Sequence, residues 1–228
     1  MVQGNGLLTE IRLETGGVAG RISFPAGMRP APGQYLAASS PSADDLLAIP
    51  LFPSKIDSGE IWAAAPLPDH WSAGMKLNLR GPLGNGFRLP PTARRVALAS
   101  LEGAPDRLLP LAHQALQQQA AVAIYSLASP ADLPAEVEVL PLDLLPEAPG
   151  WADFLALEVA LPQIAAIGAR LKLRPHQRPD CQTQVLVRAD MPCNGLAECG
   201  ICSVITQEGW AYTCSDGPVF DYHRLEGA

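Results

Sequence analysis

Four of the chain's five cysteines fall between Cys193 and Cys214, spaced Cys193-x5-Cys199-x2-Cys202-x11-Cys214. Thiols at this density point to metal chemistry. Each iron of a [2Fe–2S] cluster takes two thiolates, and plant-type clusters use a close set of three cysteines with a distant fourth. A loop carrying three ligands must wrap tightly. Gly195 and Gly200 suit it, because glycine accepts positive φ and lets backbone amides approach sulfur. The spacing therefore predicts Cys193, Cys199, Cys202 and Cys214 as ligands of a [2Fe–2S] cluster. Tetrahedral zinc is the competing reading. Zinc sites usually take two short Cys pairs, and only Cys199 and Cys202 form one here. Cys181 lies outside the pattern and reads as a structural or surface thiol. An odd cysteine count with no visible signal peptide disfavours a secreted disulfide framework and predicts a reducing, cytoplasmic setting.

The elements around this loop fall into three stretches. Residues 1–91 read as a β-barrel domain. Leu7–Glu14 and Val18–Phe24 alternate apolar and polar residues about the Gly16-Gly17 turn. Further strands are expected at Gln34–Ala38, Glu60–Ala65 and Lys76–Arg80, with no helix. Residues 92–173 read as an α/β domain of the nucleotide-binding type. Buried strands at Val96–Ser100, Ala121–Leu127, Val137–Leu140 and Phe154–Leu157 alternate with helices at Asp106–Gln119 and Leu161–Leu171, which implies a parallel sheet. The proline-rich stretch Leu142–Gly150 is expected to be a loop. Residues 174–228 read as the cluster-binding segment. It begins with the linker Arg174–Asp180 and a strand at Gln184–Val187. After the cysteine loop comes a hairpin, Ser203–Thr206 and Trp210–Thr213, which returns the chain to Cys214. Trp210 and Tyr212 are candidates for shielding the cluster from water.

Composition removes several functions. A net charge of −7 disfavours nucleic acid, which needs a basic face. No run of about 18 apolar residues predicts a membrane span. Ser23 and Ser203 lack His–Asp partners, so hydrolysis has no support.

Further motifs carry a family resemblance. Pro32-Gly33-Gln34-Tyr35, Gly81-Pro82-Leu83-Gly84-Asn85-Gly86-Phe87, and the cysteine loop with Cys214-Ser215-Asp216-Gly217-Pro218-Val219-Phe220 are similar to stretches of one family. The chain resembles the electron-transfer subunit of the class 1B, two-subunit dihydroorotate dehydrogenase, within the ferredoxin-reductase superfamily. The gap of five between Cys193 and Cys199 departs from that family's usual four. The resemblance implies an α+β multidomain fold: a barrel of the FAD-binding type, an α/β domain of the NAD-binding type and a C-terminal [2Fe–2S] segment. It implies FAD contacts at Gln34, Tyr35, Gly81, Pro82, Leu83 and Gly84. It also implies an FMN-containing dihydroorotate dehydrogenase-like catalytic subunit as partner in a hetero-oligomer, and a place in pyrimidine biosynthesis.

Other parts of the family pattern differ. An Arg-Pro-x-Ser motif normally sets arginine on the flavin phosphates and serine by the isoalloxazine. Here the stretch is Ile49-Pro50-Leu51-Phe52, and an aliphatic chain cannot replace a guanidinium. A Gly-Thr or Gly-Ser pair normally holds the pyrophosphate, where this chain has Pro66-Leu67-Pro68-Asp69-His70. A glycine-rich turn normally follows the first strand of the nucleotide domain, where this chain has Leu101-Glu102-Gly103-Ala104-Pro105. FAD is thus a candidate that the altered phosphate contacts speak against, and NAD is disfavoured. The expected function is iron–sulfur electron transfer between the flavoprotein partner and an acceptor, with no acid–base catalytic residue. The alternatives are a non-catalytic scaffold with a structural cluster, and a flavin-dependent NAD(P)H reductase.

Overall fold

The computed structural model describes residues 2–14, 16–41, 47–128, 130, 133–174 and 176–227. Residue 175 of the expected linker therefore lies outside the described residues. Seven antiparallel strands form the first sheet: β1 (Val2–Glu14), β2 (Gly17–Ser23), β3 (Tyr35–Ser39), β4 (Ile49–Leu51), β5 (Pro53–Ile56), β6 (Glu60–Ala63) and β7 (Lys76–Leu83). Their order is β4-β3-β7-β1-β2-β6-β5. The two edge strands, β4 and β5, are separated only by Phe52, so the chain itself carries one edge into the other and the sheet nearly closes. Leu8, Ile22, Leu36, Leu51, Ile61 and Leu77 fill its interior.

The second sheet is built from β8 (Arg95–Ser100), β9 (Ala121–Ser126), β10 (Val137–Pro141), β11 (Phe154–Ala160) and β12 (Gln182–Arg188). All of these pairings are parallel. Val96–Ser100 and Phe154–Val159 are buried throughout, the signature of strands covered on both faces. Helix α1 (Leu109–Gln117) buries Leu109, Leu111, Ala112 and Ala115 against the sheet. The stretch expected as a loop holds a 3-10 turn, Leu142–Glu147, and the short α2 (Ala148–Trp151). The helix expected over Leu161–Leu171 splits into a 3-10 turn, Leu161–Ala166, and α3 (Ile167–Arg170).

After β12 come the hairpin strands β13 (Ser203–Thr206) and β14 (Gly209–Tyr212), then β15 (Val219–Asp221). The sequence gives no alternation long enough to announce β15. It pairs antiparallel with β12, so the second sheet takes two strands from beyond residue 174 and reads β10-β9-β8-β11-β12-β15. One core spans the molecule. Tyr35, Phe52 and Leu83 of the barrel pack with Leu98 and Leu186 of the second sheet and with Met191, Cys202 and Cys214. Among the described residues, no helix is long and apolar enough to cross a membrane.

Candidate metal centre

The hairpin sets two of the four cysteines. Ser203 pairs with Tyr212, and the Thr213 N–H donates to the Cys202 carbonyl at 2.9 Å, extending the ladder one step. Cys202 and Cys214 are thereby brought to the same end of the hairpin, and both are buried. A tight turn follows. The Tyr212 carbonyl accepts from the N–H groups of Ser215, Asp216 and Gly217, while the Tyr212 N–H donates to Asp216 Oδ2 at 2.7 Å.

The loop from Cys193 to Cys202 supplies the rest. Asn194, Gly195, Ala197 and Gly200 all have φ between 57° and 73°. Left-handed residues set among ordinary ones turn N–H groups to one side, a concavity that receives anions and iron–sulfur clusters. The N–H groups of Leu196, Glu198 and Cys199 face the Cys193 sulfur, and that of Ala197 faces Cys214. Cys199 neighbours Cys193 and Cys202 neighbours Cys214, with Cys193 near enough to act on Cys214 as well. Among the described residues, no three His, Cys, Asp or Glu side chains converge on one metal position. Two pairs suit two irons, each taking two sulfurs. None of the five cysteines forms a disulfide.

Electrostatics divide the set. Burial pushes the Cys193 thiol up, but the N–H of Glu198, the Cys199 thiol and the N–H groups of Cys199 and Leu196 outweigh it and bring it to about 6. Burial and then the adjacent Cys202 thiol push Cys214 up to about 12, against the pull of the Ala197 N–H. Metal binding would release that proton. The Thr213 hydroxyl is fully buried and finds no partner among the described residues, and neither does Asn194 Oδ1. Buried polar atoms are normally satisfied. Thr213 adjoins Cys214, so its O–H is a donor available to a cluster sulfur. The residues present therefore fit a [2Fe–2S] cluster.

The barrel holds this segment in place. Tyr35 Oη donates to the Cys214 carbonyl at 3.0 Å, and Arg80 Nη1 to the Asn194 carbonyl at 2.9 Å. Burial, then the thiols of Cys214, Cys202 and Cys193, hold the Tyr35 hydroxyl above its ordinary value. Gly195 comes so close that a Cβ there would lie 2.9 Å from both Leu83 Cδ1 and Tyr35 Oη.

The residues expected to touch FAD lie beside this arm. Gln34 donates to the Gly84 carbonyl and accepts from the Ala31 N–H, both at 2.9 Å. Gly81 packs on Leu36, and Pro82 is half-buried in β7. Leu83 is buried against the cluster loop. Gly84 abuts Gly217 and Pro218, and the next residue, Asn85, donates from its N–H to Gly217 and from Nδ2 to the Asp216 carbonyl. These polar groups are engaged with the chain itself. Cys181 stays apart, bonded to Thr183. Trp210 is 72% exposed and shields nothing, because β14 turns it outward. Arg80 and Thr213 carried no signal in the sequence, since their partners lie at sequence distances that no local pattern encodes.

Solved structures share this architecture. An NADH-dependent reduced ferredoxin-NADP oxidoreductase, solved in a study of flavin-based electron bifurcation, is similar with a TM-score of 0.74 and 14% identity, over 97% of this chain and 89% of that one. The Neisseria gonorrhoeae ferredoxin NADP+ reductase with bound FAD and NADP gives 0.55 and 12%, over 81% and 98%. Phthalate dioxygenase reductase, a modular structure for electron transfer from pyridine nucleotides to [2Fe–2S], gives 0.54 and 10%, over 81% and 68%. No curated protein matches the chain. The class is thus a ferredoxin-reductase-like fold carrying a C-terminal segment of the iron–sulfur-binding type. More particularly, residues 191–226 match the family model of the iron–sulfur cluster binding domain of dihydroorotate dehydrogenase B.

Proposed function

We propose that Cys193 and Cys199 ligate one iron of a [2Fe–2S] cluster and Cys202 and Cys214 the other. The chain then carries electrons between an FMN-containing dihydroorotate dehydrogenase-like subunit and an acceptor, in the cytoplasm. The observation that carries this reading is the meeting of four thiols in two pairs under a loop whose amides face the sulfurs. The cluster would supply single-electron exchange. The chain's own residues do the remainder. Backbone N–H groups of Leu196, Ala197, Glu198 and Cys199 offset negative charge on the thiolates, which raises the reduction potential. Tyr35 and Arg80 fix the loop on the barrel.

The surface supports a protein partner. Cys199 is exposed, and Leu196, Ile201, Ile205 and Trp210 are each about half exposed or more on the same segment. Apolar side chains gathered round a redox centre suit an interface that excludes water.

Anaerobic reconstitution tests the ligands. The wild-type chain should hold about two irons and two sulfides, and Ser at position 193, 199, 202 or 214 should abolish or sharply reduce both. Stoichiometric zinc in place of iron, or unchanged iron in all four variants, rejects the assignment. Dithionite-reduced protein mixed with an FMN-containing dihydroorotate dehydrogenase should exchange electrons, read as reoxidation of the cluster band. A cluster that never exchanges refutes the carrier role.

A further inference from the structure

An open α/β sheet takes its ligand outside the carboxyl ends of its strands, where the strand order reverses. In this chain the order reverses between β8 and β11. The chain fills that point with its own charges. Glu102, just past β8, accepts from Arg188 Nη2 at 2.6 Å and from the Ala160 N–H at 3.2 Å. Glu158 on β11 is fully buried, and its Oε1 lies 3.0 Å from both Arg107 Nη1 and Arg188 Nε. Arg107 also donates from Nη2 to the Ala65 carbonyl of the barrel. A strand-end N–H and two guanidiniums are the groups that hold a phosphate. Here all three are held by internal carboxylates.

The barrel side is closed by different chemistry. A cleft of about 580 Å³ runs between the two sheets and reaches Ile201, beside Cys202. Its barrel wall is Ile49, Pro50, Phe52, Pro66, Leu67 and Pro68. Proline has no N–H to offer an anion. Phe52 is buried and packs on the Tyr35 ring, centroids 5.5 Å apart.

We infer that the chain's own side chains close this crevice to dinucleotides. Glu102 and Glu158 stand where a ligand's phosphates would, and Phe52 packed on Tyr35 walls the barrel side without a polar group. The cluster is then the chain's single redox centre, a conclusion that rests on the cluster reading above. Electrons enter and leave one at a time through the exposed face round Cys199. A hydride donor has no seat.

The test uses the full chain purified anaerobically with its cluster. Flavin is assayed after acid release, FAD is titrated by fluorescence quenching, and NADH is added while the cluster's visible band is followed. The expected results are substoichiometric flavin, no saturable quenching, and a band that NADH leaves unchanged but dithionite bleaches. Stoichiometric flavin, saturable FAD binding or bleaching by NADH overturns the inference. The double variant Ile49→Arg/Phe52→Ser should gain the saturable FAD quenching that the wild-type chain lacks. That variant holding its iron without gaining FAD overturns the role given to these two side chains. Iron and sulfide are measured on the same samples. Their loss counts against the cluster reading alone, so the two failures are told apart.

Discussion

Gly84→Ala separates two reasons for a glycine in the Gly81–Phe87 turn, a bound ligand or a neighbouring stretch of chain. Gly84 has φ 73°, and a Cβ there would meet Pro218 Cδ and lie 2.7 Å from the Gly217 carbonyl oxygen and 3.2 Å from Pro218 N. Gly103 is a matched control, with φ 75° and no atom within 4 Å of its ideal Cβ. Both substitutions bear the left-handed penalty of about 1–2 kcal/mol. Only Gly84→Ala must also push backbone aside, at about 1–3 kcal/mol. It further strains the Asn85 N–H bond to the Gly217 carbonyl, worth about 1 kcal/mol. The totals are about 1–2 kcal/mol for Gly103→Ala and about 3–6 for Gly84→Ala. At about 2–4 °C per kcal/mol for a chain of this size, the melting temperature should fall roughly 2–8 °C in the first and 6–24 °C in the second. The displaced stretch begins three residues after Cys214, so Gly84→Ala should also lose iron while Gly103→Ala keeps it. Thermal melts and iron assays on flavin-free protein measure both. Equal melting shifts, or a Gly84→Ala protein with full iron and an unchanged melt, would refute the reasoning.

Two further outcomes are expected. Asp153 accepts from the Arg94 N–H and then from the Arg95 side chain, which hold its carboxyl below the ordinary value. A depressed carboxyl lends stability that is present above its unfolded pKa, about 3.9, and that is lost as pH falls through the folded pKa. Asp153→Asn should therefore flatten the acid limb of melting temperature against pH, and an unchanged limb counts against the contact. Cys181→Ser should leave iron and sulfide at the wild-type level, because that thiol bonds Thr183 away from the loop. A drop in iron would bring Cys181 into the site.

The cysteine loop was legible because its chemistry is local. Three ligands and two glycines lie within ten residues, and the hairpin that returns Cys214 has a clear alternation on either side of Gln207–Gly209. The barrel strands with clean alternation, β1 and β2, were legible for the same reason. Strands β4 and β5 were not. They are three and four residues long, and Pro50 and Pro53 argue locally against strand. Their edge positions are what make proline tolerable, and edge position is a property of the closed sheet. The ion-pair group Arg107, Glu158, Arg188 and Glu102 was invisible for a different reason. Its members sit on four separate stretches of chain, and Glu158 lies inside an apolar strand, FLALEVA, where a carboxylate reads as a mismatch. Only strand order brings it under two arginines.

The same geometry explains why some motifs of a flavin-binding barrel are readable in this chain while others have given way to different residues. Pro32–Tyr35 and Gly81–Phe87 have a second set of contacts. Tyr35 holds Cys214, Gly33 packs on Val219 and Phe87, and Gly84 and Asn85 receive Gly217. Changing any of them moves the tail that carries the last ligand. Ile49 and the stretch from Pro66 to Pro68 line the open cleft, and among the described residues no hydrogen bond joins them to the cluster arm. Substitution there breaks no hydrogen bond to the arm. The motifs that persist are therefore those the cluster needs, whether or not a flavin is present. That predicts an asymmetry: damage to Tyr35 or Gly84 should release iron, while damage to Ile49 or Pro68 should not. Iron retention in Tyr35→Phe and Ile49→Ala, assayed side by side, decides it. Tyr35→Phe removes a hydrogen bond of about 1 kcal/mol and leaves the Cys214 carbonyl unpaired in the core. If instead Ile49→Ala loses iron as fast as Tyr35→Phe, the cleft and the cluster arm are coupled and the division drawn here is wrong.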